Sequence, residues 1–487
     1  MADTSNLDSA NYSFWGVFTN TLWYGIVPKL PSLINVILLP LITPYLSAWD
    51  YGIWGKISAY TSFATAFCTM GLNVHLTNSY YEYGKKFHIV WSRLNLLLHV
   101  LSIICSAVLF VVLWFSLNEL SIWYRILISF LSVLPALFYP SPLLAQHLYP
   151  ARANPKPLVL RNFVASVLGI ASLYIAVVPL KLGYGGFVIS TAITAAVAYF
   201  LFLPQLKKEK ITLVVSNRWW RVKKWLLIGL PLVPHTLGFA LLSSSTRIVM
   251  DISGMSTDEI GLFTNGATIG GFVVILTSAI ASALGPLMQQ YYRKGEIINF
   301  RNLFFMDFAI TFVCVFVFSI WMNEIYSVLV RNEELSVAYS IAQVICYSNL
   351  IYPFYHFTSA IIGIQKKTYH MLWLAFVPGI VCVAVNFILL PIYGYKVAAW
   401  VSVISYWTQF FLPLFVPYLR RITREWLGSE WTMPYYALIA GLCVITIGLI
   451  SSSSILVRIF ITVLVAIITG LLLKFLNLKI VIYGKSE

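Results

Sequence analysis

Long apolar runs broken by brief polar turns set the pattern of this chain. The stretch LLPLITPYLSAWDYGIW, residues 38–54, shows the device. An apolar run stops at Pro44 and Tyr45, turns through Asp50 and Gly52, and re-enters apolar sequence. A helix needs about 20 mostly apolar residues to cross a bilayer. Runs of that kind predict fourteen spans: 22–46, 51–76, 90–116, 121–148, 158–180, 184–205, 223–247, 260–287, 302–322, 337–363, 370–391, 396–418, 434–451 and 455–475. Backbone groups in lipid must be satisfied within each segment, so the fold class is an all-α integral membrane protein. The short alternating segments of a membrane β-barrel are absent.

The turn at 47–51 has a counterpart in STDEIGLF, residues 256–263. Gly52 and Gly261 are 209 positions apart. Further along, the offset settles at 211: Tyr80, Tyr81 and Gly84 match Tyr291, Tyr292 and Gly295, Pro142 matches Pro353, Lys156 matches Lys367, and Gly183-Tyr184 matches Gly394-Tyr395. Upstream, Val27-Pro28-Lys29 matches Val233-Pro234-His235. Six spans separate the copies, an even number, so both halves share one orientation, related by an axis along the membrane normal. The predicted organisation is a cytoplasmic segment 1–19, an N-lobe 20–206, a basic linker 207–224, a C-lobe 225–419, and a two-helix appendage with a tail, 420–487. Trp219 and Trp220 of the linker are suited to rest at the membrane interface.

Composition agrees. The chain is 60% hydrophobic and 10% charged, against about 25% charged in soluble domains. Residues 1–19 are polar and acidic with no basic n-region, which is not a cleavable signal peptide. Asn11-Tyr12-Ser13 matches a glycosylation sequon and nothing else supports its use. The net charge of +15 has a simple origin. With the N-terminus inside, 23 of 32 Lys and Arg fall in inner loops, and only Lys181, Arg331 and Lys396 in outer ones. This bias predicts both termini in the cytoplasm and leaves no charge that calls for nucleic acid. The six cysteines lie in apolar segments, form no CxxC pair, and read as small buried hydrophobes.

LLPLITPYLSAWDYGIW resembles the end of the first helix and the first outer turn of polysaccharide transporters of the O-antigen flippase type. GLPLVPHTLGFALLSSSTRIV, residues 229–249, resembles the start of their second half. These transporters share one superfamily of exporters, two six-helix lobes each, with drug/sodium antiporters and lipid II flippases. The resemblance spans about residues 15–420. It departs at Thr43-Pro44, where Thr-Arg is usual, and at Thr246-Arg247, where Asp-Arg is usual. It implies an inner-membrane protein that moves a polyprenyl-diphosphate-linked oligosaccharide from the cytoplasmic to the periplasmic leaflet by alternating access through a cationic interlobe cavity. The partners implied are that lipid-linked substrate, membrane lipids and other polysaccharide-assembly membrane proteins. No cofactor is implied beyond coupling to a proton or sodium gradient.

Several intramembrane polar residues are candidates for that work. Lys29 sits roughly 9 Å into its span, counting about 1.5 Å per residue. It either draws in the diphosphate or snorkels back to the inner interface. His235 is its repeat partner, and Pro28, Pro31, Pro231 and Pro234 flank the pair. Lys56 and Arg247, near outer ends of spans, are candidates to hand the diphosphate outward or to anchor at the interface. Arg93 lies about a turn inside span 3. Asp307, about a turn inside span 9, is the candidate for ion coupling, or a partner for Arg301. Arg125 reads as an anchor. Asn35, Asn73, His75, Asn265 and Asn386 offer contacts to sugar hydroxyls, or hydrogen bonds between helices.

No GxxxxGK[ST] occurs, so no ATP site is predicted. No catalytic triad or metal motif stands out, and no outer loop is long. A membrane polymerase is therefore disfavoured. A multidrug antiporter would favour acids in the cavity, whereas Asp307 stands alone against Lys29, Arg93 and His235. A lipid II-type flippase fits the same span count.

Overall fold

The computed structural model describes residues 29–215, 223–428 and 432–475, apart from 153, 155, 224, 228, 231, 232, 366 and 452. The segment 1–19 with its sequon, Pro28, Pro231, Trp219, Trp220 and the tail from 476 lie outside the described residues. The described residues are helical from Leu30 to Phe475, broken by turns, and contain no strand. Nine described helices are long and apolar enough to cross a membrane, joined by shorter apolar ones at Leu30–Tyr45, Tyr436–Ile450 and Ile455–Leu471.

The first bundle comprises α1 (Leu30–Ile42), α2 (Ala48–Thr69), α3 (Leu72–Tyr83), α4 (Phe87–Ser116), α5 (Ile122–Leu137), α6 (Pro140–Ala151), α7 (Lys156–Val177) and α8 (Tyr184–Lys208). The second comprises α9 (Val233–Ile252), α10 (Thr257–Gly270), α11 (Val273–Arg293), α12 (Ile297–Ile320), α13 (Met322–Leu329), α14 (Glu333–Ser336), α15 (Tyr339–Tyr347), α16 (Tyr352–Ile364), α17 (Met371–Tyr393) and α18 (Val397–Phe415). An amphipathic helix α19 (Pro417–Leu427) and two further helices, α20 (Thr432–Ile450) and α21 (Ile455–Phe475), follow.

Several spans expected as single helices are broken. Span 2 is α2 and α3, split at Met70 and Gly71, both with positive φ. Span 4 splits before Pro140, and span 8 between Gly270 and Val273. Span 10 is interrupted by a 3-10 turn at Ser348–Ile351, just before Pro353. Proline lacks the N–H an interior position needs but fits a first helical turn, so Pro140 and Pro353 restart helices rather than continue them. The helix α19 has no counterpart among the expected elements. Its alternation of buried Leu419, Ile422 and Trp426 with exposed arginines gives a low mean hydropathy that a search for apolar runs passes over.

The two turns compared in the sequence are built alike. Ser47 Oγ accepts from the Asp50 N–H at 3.1 Å, and the Asp50 carboxylate accepts from the Ser47 N–H at 2.9 Å. Ser256 and Glu259 repeat this reciprocal cap at 3.3 and 3.0 Å. Each cap satisfies orphan donors at the start of a helix, α2 or α10, and fixes where the chain turns back. Those two helices then pack on each other, and α2 also packs on α9. A smaller contact joins α1 to α13. Beyond the breaks at 70–71 and 271–272, α3 and α11 make no comparable contact. The bundles therefore meet through these helices at the end bearing the capped turns, the closed end, while at the opposite, basic end the chain entering α9 rests on the first bundle, with Gly71 meeting Gly229 backbone to backbone.

The α2–α10 contact depends on missing side chains. A Cβ on Gly52 would lie 1.9 Å from the Thr257 carbonyl oxygen, and one on Gly261 1.7 Å from that of Ala48. No side chain fits there, so the two glycines let backbone meet backbone where the bundles touch. The appendage is pinned by Arg458 of α21, whose guanidinium lies 2.6 Å from Glu324 and over the Trp321 ring.

Candidate substrate cavity and interlobe latch

A cavity of about 1170 Å³ runs through the first bundle. Pro31 and Ser32 of α1, Gln146 of α6 and Leu158 of α7 lie towards its basic end. Ile42, Trp54 and Phe187 close it at the other. Thr268, Gly271 and Phe272 of the second bundle complete one wall. Its polar lining is Ser32, Asn35, Thr65, Gln146, Asn162, Ser166, Ser190, Thr191, Thr194 and Thr268, set among apolar and aromatic side chains. Among the described residues no charged side chain lines it. The cationic cavity expected between the lobes is not this one, which lies within the first bundle, and its neutral lining has a physical reason: a charge held within a bilayer-spanning bundle needs a counter-charge or water. The described cations are placed elsewhere.

Lys56 shows where. Its side chain is 4% exposed, and its ammonium lies 3.1 Å from Glu119 and 3.1 Å from Asp251. Glu119 stands in the loop after α4, in the first bundle, and Asp251 near the end of α9, in the second. Tyr60 and Ser116 of the first bundle donate to Asp251 at 2.8 and 2.7 Å. Thr257, at the start of α10, donates to Glu119 at 2.6 Å, and the Trp49 indole at 3.2 Å. One ammonium and two carboxylates thus bind the bundles together at the closed end: Asp251 of the second bundle is reached by donors of the first, and Glu119 by donors of both. Burial alone would raise the Glu119 carboxyl, but hydrogen bonds from Thr257, Lys56 and Trp49 outweigh it and hold the group below its ordinary range. Alongside, Asn332 donates to the Leu46 carbonyl at 2.9 Å, and Thr43 Oγ1 accepts from the Arg331 N–H at 3.1 Å.

The other candidates separate into distinct settings. Arg247 crosses between bundles, donating to Ser58 Oγ at 3.0 Å and to the Ser243 carbonyl at 2.9 Å, while its buried Nε has no acceptor. Asn35 lines the cavity. Lys29 caps the start of α1 beside cavity residues Pro31 and Ser32, half-buried and outside the lining. His235 is held within its own bundle: Nδ1 lies 3.1 Å from the Met371 carbonyl and the ring packs on Phe239. The structure does not bring it together with Lys29. Arg93 is half-buried in α4, its Nε without an acceptor. Asn73 lies in α3 with its side-chain oxygen buried and unpaired. Asn265 accepts from Tyr326 OH inside the second bundle. Asn386 ties α17 to α9 through Thr246 at 3.1 Å. His75 packs on Trp225. Arg125 donates to the Leu117 and Asn118 carbonyls, capping α4.

Asp307 is 1% exposed, with both carboxylate oxygens lacking a hydrogen bond. Its neighbour is His356 of α16, Nδ1 at 3.6 Å, rather than Arg301. A carboxylate this buried with no donor is costly unless it is protonated or faces a cation. Sequence reasoning missed His356, as it missed Glu119, Asp251 and Thr257. The available signal for the two acids was their place in turns on the same side of the membrane as Lys56.

The chain matches known proteins in two comparisons. The profile described as "Polysaccharide biosynthesis protein" matches residues 17–292, more than half of the chain. An inward-facing multidrug resistance MATE family transporter of the MOP superfamily superposes with a TM-score of 0.58 at 13% identity, covering 91% of this chain and 100% of that one. The MATE multidrug transporter DinF-BH superposes at 0.57 and 15% identity, covering 86% and 97%. An outward-facing MATE transporter gives 0.56 at 13%, covering 87% and 97%. No curated protein matches in sequence.

Proposed function

The chain belongs to the polysaccharide biosynthesis protein family, within the MOP superfamily of membrane transporters, and from that premise we propose that it flips a polyprenyl-diphosphate-linked oligosaccharide from the cytoplasmic to the periplasmic leaflet of the inner membrane. The observation that carries this reading is the polar part of the cavity lining: hydroxyls and amides set among apolar and aromatic side chains, with no charged side chain among the described residues. A glycan is a dense array of neutral hydroxyls. Each one left unsatisfied in hydrocarbon costs several kcal/mol. Ser, Thr, Asn and Gln side chains donate and accept, and can replace water around such a headgroup. The lipid tail meanwhile stays in the bilayer.

The orientation follows the positive-inside bias, with the closed end periplasmic and the basic end cytoplasmic. In this state the cavity is loaded from the cytoplasm. Release of the latch and closure of the basic end would deliver the glycan outward, the bundles rocking about the site between them. Lys29 and Arg247, at opposite levels of the pathway, are our assignment for transient diphosphate contacts. Asp307 with His356 is our assignment for the coupling ion. Neither needs to line the glycan cavity. Other polysaccharide-assembly membrane proteins are the expected neighbours.

A multidrug antiporter on the same fold is the alternative. A cationic drug needs a carboxylate or an aromatic cage in the cavity; among the described residues no carboxylate lines this one, whereas Trp54, Phe138, Tyr139, Phe163, Phe187 and Phe272 do, so the two readings separate on the cargo moved. The reading is tested by reconstitution into liposomes with a fluorescent polyprenyl-diphosphate oligosaccharide, with and without proton and sodium gradients. Protein-dependent movement, stimulated by one gradient and made independent of it by Asp307→Asn, is expected. A folded protein that moves nothing under either gradient would rule the reading out.

A further inference from the structure

At the basic end of the second bundle, three side chains gather on the ring of Tyr418, the second residue of α19, and a fourth on its hydroxyl. The Lys367 ammonium lies 5.2 Å from the ring centroid, and the Arg421 guanidinium 5.6 Å from it. The His370 imidazole stacks on the same ring at 3.5 Å. Tyr418 OH donates to Gln365 Oε1 at 2.8 Å, which fixes the ring. Gln365 in turn donates to Tyr292 OH, and Tyr292 OH donates to Glu425. Glu425, four residues on from Arg421 in α19, thus accepts from Tyr292 and keeps its charge. Among the described residues, neither Lys367 nor Arg421 has a carboxylate within ion-pair distance. His370 Nδ1 is buried without a hydrogen-bond partner.

The two cations share one ring, with no carboxylate in ion-pair distance among the described residues. Burial, with Lys367 and Arg421 nearby, holds His370 below its usual range. On the orientation proposed above, the cluster sits at the level of the cytoplasmic headgroups. The apolar face of α19 packs on the bundle through Leu419, Ile422 and Trp426, and leaves Arg420, Arg421 and Arg424 outward. Tyr369 beside it is 63% exposed. A basic, aromatic-bearing amphipathic helix at the end of a membrane bundle lies in the headgroup layer.

We propose that Lys367, His370 and Arg421, arranged around Tyr418, form a binding site for the phosphate of a lipid headgroup in the cytoplasmic leaflet. The ammonium and guanidinium supply charge-assisted hydrogen bonds to phosphate oxygens, and the imidazole nitrogen supplies or accepts a further one. The ring holds the cations in place when the site is empty. A phospholipid and a polyprenyl diphosphate share this chemistry. The site rests on the orientation proposed above and not on the flippase reading.

Native mass spectrometry of the full chain in detergent tests it, by titration with phosphatidylglycerol, with phosphatidylcholine as the zwitterionic control, and separately with polyprenyl diphosphate. Wild type should retain one anionic lipid at least fivefold more tightly than Lys367→Gln/Arg421→Gln. The charge-keeping pair Lys367→Arg/Arg421→Lys should bind like wild type, which separates charge from folding. Preference for phosphatidylglycerol names a structural lipid, and preference for the diphosphate names a substrate-gathering site; either supports the proposal. Equal retention by wild type and the Gln pair overturns it. So does phosphatidylcholine bound as tightly as both anionic lipids.

Discussion

The closed end and the cavity of the first bundle solve opposite problems. At the closed end, Lys56, Glu119 and Asp251 concentrate charge in a small contact between bundles, with hydrogen bonds reaching it from both sides. In the cavity, polar groups are spread over five helices of that bundle and α10, and none carries charge. The difference teaches how charge is used here. A paired cluster has few alternative arrangements, so it specifies one closed geometry and releases as a unit. A neutral, distributed lining favours no single headgroup pose and lets a bulky glycan pass.

The sharpest way to break this comparison is to wedge the closed end. Gly261→Val places side-chain atoms where a Cβ alone already lies 1.7 Å from the Ala48 carbonyl oxygen. Closure should fail, transport should fall to background, and hydrogen exchange in 48–57 should rise, while the cavity helix α7 keeps its protection. Next in size is Lys56→Met. Stranding a buried partner generally costs about 3–5 kcal/mol, and with Glu119 40% exposed the lower end applies. A lowered melting temperature is expected. Adding Glu119→Gln and Asp251→Asn should recover much of the loss, because the stranded charges are gone.

A cavity substitution should behave differently. Asn35→Ala or Thr194→Val removes one hydrogen bond, generally worth about 0.5–1.5 kcal/mol. The apparent KM for substrate should rise by about two- to tenfold with the melting temperature unchanged. The smallest effect is one of pH. The Glu119 carboxyl is held below its ordinary value of 4.5. Its contribution to closure is therefore complete above that value and lost as pH falls through the lower, closed-state value. Hydrogen exchange at the closed end should rise on acidification below about 4.5 in wild type. Glu119→Gln should flatten that response.

Parts of this were legible in sequence. The apolar runs gave the helical membrane class, and the matched turns at 47–51 and 256–259 proved to be matching caps, because a capping box is written in residues three apart. Gly52 and Gly261, noticed only for their spacing, face each other across the bundle boundary. The latch was not legible. Glu119 and Asp251 sit near turns, where acids are ordinary, and only tertiary packing brings both to Lys56. The helix breaks were hidden because hydropathy averages over them. Asp307 drew attention as a lone intramembrane acid. Its partner did not, because a single histidine in the aromatic run YPFYHF reads as an interface residue. The cavity lining was the least visible. Ser190, Thr191 and Thr194 are small and common in packed membrane helices, and nothing in their spacing separates a wall from an interface.

The most direct test of the account is to offer one preparation of proteoliposomes two cargoes: a fluorescent polyprenyl-diphosphate oligosaccharide and a cationic rhodamine dye. Ala195→Phe, which fills the cavity wall, serves as the blocked control. The account predicts protein-dependent movement of the oligosaccharide, abolished by Ala195→Phe, with no gradient-driven movement of the cation. Transport of the dye with the oligosaccharide left in place would contradict it, and would make the neutral cavity the path of a drug.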